Sequence, residues 1–249
     1  MKTKLLLLTI VLFLGSPVFA QGPANDALAL NEQGVVHVRA GRFFAAAELF
    51  QRAIARNPNF AAAYNNLGAT DNALGRYQEA IEVLKTALQI KPDYVEALYD
   101  LGVAYAGLGR YREAVAAYQQ AIHFRPDFFQ AHNRLGVAYN NWGKRDEAVK
   151  AYREAIRLKP HYPEAYNNLG TAQAEAGEYR EAIESFERSI NLTPDLAIAH
   201  YNLGVAWLQI NNRAAALEQY KLLTTIDGDL ADKLYAGVDA GKIVSLARK

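Results

Sequence analysis

Five histidines are the side chains of this chain best suited to proton transfer or metal binding: His37, His123, His132, His161 and His200. No two of them stand at a metal-ligand spacing such as H-E-x-x-H. The sequence has no phosphate-cradling Walker loop and no nucleophile elbow. It has no cysteine, which excludes disulfides, thiolate metal sites and a lipid-modified cysteine. Neighbouring carboxylates such as Glu181 and Glu184 are expected on one solvated helix face. Asn191-Leu192-Thr193 fits a glycosylation sequon, but Pro194 follows it. What remains is amide chemistry. The hexapeptide AYNNLG occurs at residues 63–68 and again at 165–170. An amide both donates and accepts hydrogen bonds, so a row of amides at constant spacing suits the backbone of an extended peptide. No catalytic residue, metal or cofactor is expected.

The two copies of AYNNLG start 102 residues apart, which is three times 34. With Ala27 as position 1, six units of 34 residues follow: 27–60, 61–94, 95–128, 129–162, 163–196 and 197–230. Position 3 is Ala29, Ala63, Ala97, Ala131, Ala165 and Ala199. Position 8 is Gly34, Gly68, Gly102, Gly136, Gly170 and Gly204. Position 20 is alanine throughout, and position 24 is large and apolar: Phe50, Leu84, Tyr118, Tyr152, Phe186 and Tyr220. Position 32 is proline in five units, with Gly228 in the sixth.

The periodicity predicts two helices per unit. In 95–128 the first, VEALYDLGVAYAGL, carries Leu98, Leu101 and Tyr105 at helical spacing. Gly109 then closes it, and Pro126 stops the second helix. Small residues at positions 8 and 20 predict close helix approach, with position 24 filling the gap between neighbouring units. Asp71 is the odd residue at position 11, where Tyr105, Tyr139 and Trp207 stand in other units. It is expected to be half-buried beside a basic or amide group. His132 and His200 share position 4 with Tyr64 and Tyr166 and are expected to pack.

This pattern resembles the tetratricopeptide repeat over residues 27–230. Arg145 and Arg213 depart from the aromatic found at position 17 in other units. The resemblance implies an all-α, right-handed superhelical solenoid of six helix-turn-helix repeats, with residues 231–249 as capping helix and tail. It also implies that positions 2, 5, 6, 9, 12 and 13 of the first helices line a concave groove. The expected contacts are Asn65, Asn66, Tyr99, Asp100, Asn133, Arg134, Asn167, Asn168, Tyr201 and Asn202. The asparagine ladder of O-linked N-acetylglucosamine transferase is similar at Asn66, Asn168 and Asn202, with Asp100 a partial substitute. The same amides also suit a second task, tying adjacent helices together. The family's carboxylate clamp needs Lys and Arg at positions 2, 5 and 6. Arg134 alone fills that role here, so an acidic-tail receptor is not expected.

Residues 1–20 follow the layout of a secretory signal peptide: Lys2 and Lys4, the apolar run LLLLTIVLFL, a Gly-Ser-Pro break and small residues at Val18 and Ala20. Cleavage is expected after Ala20, leaving residues 21–26 as a leader and no membrane span. Without Lys2 and Lys4 the chain has 25 basic and 26 acidic residues, so no basic surplus points to nucleic acid. The expected function is a periplasmic or secreted, non-enzymatic scaffold that binds a neutral to basic protein or peptide segment. The alternatives are a subunit or assembly factor of an envelope or secretion complex acting through its convex face or ends, and binding of a carbohydrate polymer.

Overall fold

Each 34-residue unit folds as a pair of helices because a short turn stops the first and a proline stops the second. The computed structural model describes residues 23–240, and the expected signal segment and the tail beyond 240 lie outside them. The first helices are α1 Pro23–Arg39, α3 Ala61–Ala73, α5 Val95–Gly107, α7 Phe129–Asn141, α9 Pro163–Glu175 and α11 Ala197–Gln209. The second helices are α2 Phe43–Arg56, α4 Tyr77–Ile90, α6 Tyr111–Phe124, α8 Arg145–Leu158, α10 Tyr179–Leu192 and α12 Arg213–Ile226. A last helix, α13 Gly228–Ala240, follows. Each helix packs on the next in sequence, and each first helix also touches the first helix of the following unit.

The turn inside each unit is a Schellman closure. Arg110 donates its backbone N–H to the Tyr105 carbonyl at 2.9 Å, and the equivalent bond recurs in all six units. The residue between must be left-handed. Gly109 has φ +72°, and in the sixth unit Asn211 takes the same conformation at φ +61°, which asparagine tolerates better than other side chains. The second helix ends differently. Arg125 is extended at φ −136°, as the residue before a proline must be, and Pro126 continues the chain into the next unit.

The core is a row of close contacts. A Cβ on Gly102 would lie 2.5 Å from the Tyr118 ring, and one on Gly170 would lie 2.7 Å from Phe186. Position 24 therefore lies over the glycine of its own unit, while still contributing to the seam with the next. Phe50, for example, packs with Leu67. The sixth unit departs from this: Gly204 faces Leu234 of α13, at 2.5 Å from a built Cβ. Tyr220 is turned instead onto Tyr235, with ring centroids 5.0 Å apart. The helix α13 starts at Gly228, inside the sixth unit, directly after the extended Asp227. Asp227 caps it by accepting from the Leu230 N–H at 3.1 Å. At the other end α1 begins at Pro23, so part of the expected leader is helical.

Replacing Gly136 by leucine puts side-chain atoms where the Tyr152 ring already sits, 2.6 Å from the Cβ position. The variant is expected to lose about 1–3 kcal/mol of stability by overpacking. A urea melt that coincides with that of the unmodified chain would contradict this.

Candidate functional site

Side chains at positions 5 and 6 meet across the seam between neighbouring first helices, 35 residues apart. The Asn66 amide donates to Asn31 Oδ1 at 2.9 Å, Asn168 to Asn133 Oδ1 at 3.1 Å, and Asn202 to Asn167 Oδ1 at 3.1 Å. At the seam between α5 and α7 the corresponding residues are Tyr99 and Arg134, which interact electrostatically. The remaining pair is Asn65 with Asp100. Asn65 Oδ1 is buried without a partner, as are the Oδ1 atoms of Asn72 and Asn140 at position 12.

These bonds decide where the expected contact residues lie. Asn65, Asn133, Asn167, Tyr201 and Asn202 are buried, so for these five the expectation of exposed groove contacts is corrected. An unpaired amide in a dry seam is costly, and the neighbouring unit supplies the nearest partner. Asn66, Tyr99, Asp100 and Asn168 are half-buried, and Arg134 is exposed. Position 12 works the same way. Asn72 donates to the Asp100 carbonyl at 2.8 Å, and Asn140 to Glu175 Oε2 at 3.0 Å.

What the seam leaves open is a recess of about 290 Å³ lined by Asn133, Arg134, Tyr162, Glu164, Asn167, Asn168, Leu196 and Ile198. It presents a guanidinium, an exposed carboxylate, amides, a phenol and two aliphatic side chains. A second, mostly apolar recess of about 310 Å³, lined by residues of α1, α2 and α3 with Arg39, lies between the first two units. Tyr162 and Leu196 were not among the expected contacts. Their signal is periodic: position 34 reads Phe60, Tyr94, Phe128, Tyr162, Leu196 and Leu230. A basic residue three places earlier lies over the ring in three units. Lys91 is 4.9 Å from the Tyr94 centroid, Arg125 is 5.0 Å from Phe128 and Lys159 is 5.4 Å from Tyr162.

The electrostatics centre on Asp100. Burial, and after it the charge of Glu96, pushes its carboxyl up to about 7. Glu96 itself is bound by Arg125 at 2.5 Å. Asp71 is buried, with Arg76 at 3.7 Å, and burial raises its carboxyl against the pull of that arginine. His132 and His200 have structural contacts, each placing Nε2 within 2.8–2.9 Å of the carbonyl of the proline six residues earlier. Among the described residues no cluster of three His, Asp or Glu is placed to hold a metal, and no helix is long and apolar enough to cross a membrane.

Models of the tetratricopeptide repeat match residues 27–60, 59–127, 99–163, 151–184 and 174–211. The chain is a tetratricopeptide-repeat protein. The crystal structure of MamA is 29% identical with a TM-score of 0.59, covering 64% of this chain and 93% of that one. YrrB, described as a TPR protein with an unusual peptide-binding site, is 26% identical with a TM-score of 0.59, covering 76% and 98%. Pseudomonas aeruginosa pilF shares the fold at a TM-score of 0.75 and 18% identity, covering 89% and 100%. Among curated proteins none matches the chain.

Replacing Asn202 by alanine leaves Asn167 Oδ1 buried and unpaired, at an expected cost of about 1–3 kcal/mol in chemical denaturation. The same change at half-buried Asn66 is expected to cost less. The two raised carboxyls set a pH dependence. Asp100 ionises near 4 in the unfolded chain but at about 7 in the fold. Its contribution to stability is complete below the unfolded value and is lost as pH rises through about 7. Asp71 acts in the same direction. Thermal melts between pH 8 and pH 5 are expected to rise on acidification.

Proposed function

We propose that this protein is an exported, non-enzymatic scaffold that holds an extended segment of a partner protein in the concave groove of its repeat superhelix. The recess around Arg134, Glu164 and Asn168 carries the reading. It combines a donor cation, an acceptor carboxylate and amides within one peptide-sized opening on the first-helix face. Such a set suits a peptide backbone and its side chains together. Stacked repeats keep it pre-formed, which lowers the entropy cost of binding. The likeness to YrrB supports the same reading. Export rests on the residues 1–20 of the sequence, with a periplasmic or secreted destination after cleavage at Ala20. The near balance of charge favours protein over nucleic acid as partner.

A second reading, assembly through the C-terminal end, is favoured by Leu222, Ile226 and Tyr235, which are exposed on α12 and α13. A photo-reactive residue in place of Glu164, compared with one in place of Leu222 on α12, separates the two in cells. Adducts from position 164 to one continuous stretch of a single partner are expected. Adducts from position 222 alone would move the working surface to the C-terminal end.

A further inference from the structure

The first seam of the solenoid is left open at a place where later seams are closed. The recess of about 310 Å³ between the first two units is walled by Val35 and Val38 of α1, Phe43 of α2, and Ala69 and Ala73 of α3, with Arg39 beside them at the end of α1. Val35, Val38, Arg39, Ala69 and Ala73 stand at positions 9, 12 and 13 of their units, which face the groove in the tetratricopeptide register. At the next seam the Tyr77 ring lies against Gly107, position 13, where a Cβ would be 2.6 Å away. At the fourth seam Asn140, position 12, reaches Glu175, position 13, at 3.0 Å. At the first seam position 12 is Val38, which has no amide to offer, and position 13 is Ala73, which stops at Cβ. Position 9 of the second unit is also cut back, with Ala69 where Val103, Val137 and Val205 stand elsewhere.

Two polar side chains of the recess are engaged elsewhere. The Thr70 hydroxyl donates to the Asn66 carbonyl at 2.7 Å, and the Asn66 amide donates to Asn31 Oδ1 at 2.9 Å. Water held against the remaining apolar walls finds few hydrogen-bond partners, so its replacement by an apolar group is favourable. Ala73 is exposed, and Val35, Val38, Phe43 and Ala69 are half-buried, so the space is open from outside. Arg39 is exposed too, and no ion pair among the described residues uses it. Cations lie over rings repeatedly in this chain, as Arg76 does over Phe44 at 5.1 Å and Arg110 over Tyr105 at 4.7 Å.

We propose that this recess takes an aromatic side chain of the partner segment held in the groove, with the Arg39 guanidinium over its ring. The inference rests on the groove reading and deepens it, since it fixes one residue of the bound segment as aromatic. An aliphatic side chain would meet the same apolar walls but leave the guanidinium nothing to face, whereas a ring offers it a negative π face. A volume of about 310 Å³ stands at the bottom of the usual range for ligand sites and suits a bulky side chain better than a cofactor. An aromatic anchor seated in a pocket is the kind of contact that carries most of the energy at a protein interface. This recess and the one around Arg134 are both lined by first helices, so one segment running along those helices meets both.

The test uses the full chain, isotope-labelled for amide NMR, and two neutral probes, N-acetylphenylalaninamide and N-acetylserinamide. The phenylalanine probe is expected to shift the backbone amide signals of Ala69 and Ala73, and the serine probe to leave them in place. Ala69→Leu puts methyl groups into the recess. It is expected to weaken the phenylalanine probe about tenfold or more without lowering the melting temperature. Val38→Asn makes the wall polar, as Asn72 and Asn140 do at position 12 of their units, and is expected to weaken the same probe. Absent shifts, equal shifts with the serine probe, or binding unchanged by both variants would overturn the proposal. In cells, Ala69→Leu is expected to reduce the adducts formed from position 164. Unchanged adducts would overturn the aromatic anchor and leave the groove reading standing. No adducts from position 164 of the otherwise unmodified chain would strike the groove reading itself.

Discussion

A glycine lying directly beneath a ring or a leucine is the contact from which the rest of this solenoid follows. At position 8 the first helix has no side chain, so the position-24 residue of the second helix occupies the space where a Cβ would be. The cost of glycine within a helix is about 1 kcal/mol relative to alanine, and the close approach it permits repeats at every unit. Each pair is still too thin to bury its outer apolar face, so the next pair must cover it. The last unit shows the rule under a change of parts. With no seventh repeat behind it, Leu234 of α13 fills the space above Gly204, and Tyr220 moves aside to Tyr235.

Apolar packing alone sets the distance between units but tolerates some slip along the seam. The position-5 and position-6 bonds do not. An amide oxygen removed from water is best placed with its donor at hydrogen-bond distance, and at three of the five seams it finds one 35 residues on. The ladder therefore holds register, and this consumes side chains that could otherwise have faced a ligand. The open surface is left to the residues at the rim of the seam, Arg134, Glu164 and Ile198. Asp100 sits in the ladder at a cost in stability, because burial disfavours its charged form.

Much of the fold was legible in the letters. Positions 3, 8, 20, 24 and 32 recur because each answers a local steric demand that is the same in every unit: a left-handed turn, a close crossing, a stop. The helix pairs, their turns and the additional last helix all follow from those demands. The site was legible only in part. Periodicity placed the amides on the first-helix face but could not say whether their polar ends met solvent or each other. The aromatic residues at position 34 carried an equally regular signal, yet their place beside the groove comes from the bend of the inter-unit turn and the cation over each ring.

What the sequence determined by itself was the repeat, because backbone stops and close contacts act between residues near in the chain. What only the tertiary structure decided was the allocation of the asparagines. Asn66, Asn168 and Asn202 each reach a neighbour 35 residues away, and burial across that distance turns an exposed amide into a structural rung. The same geometry singles out Asp100. In the sequence it is one substitution among six units, and in the stacked helices burial pushes its carboxyl up to about 7.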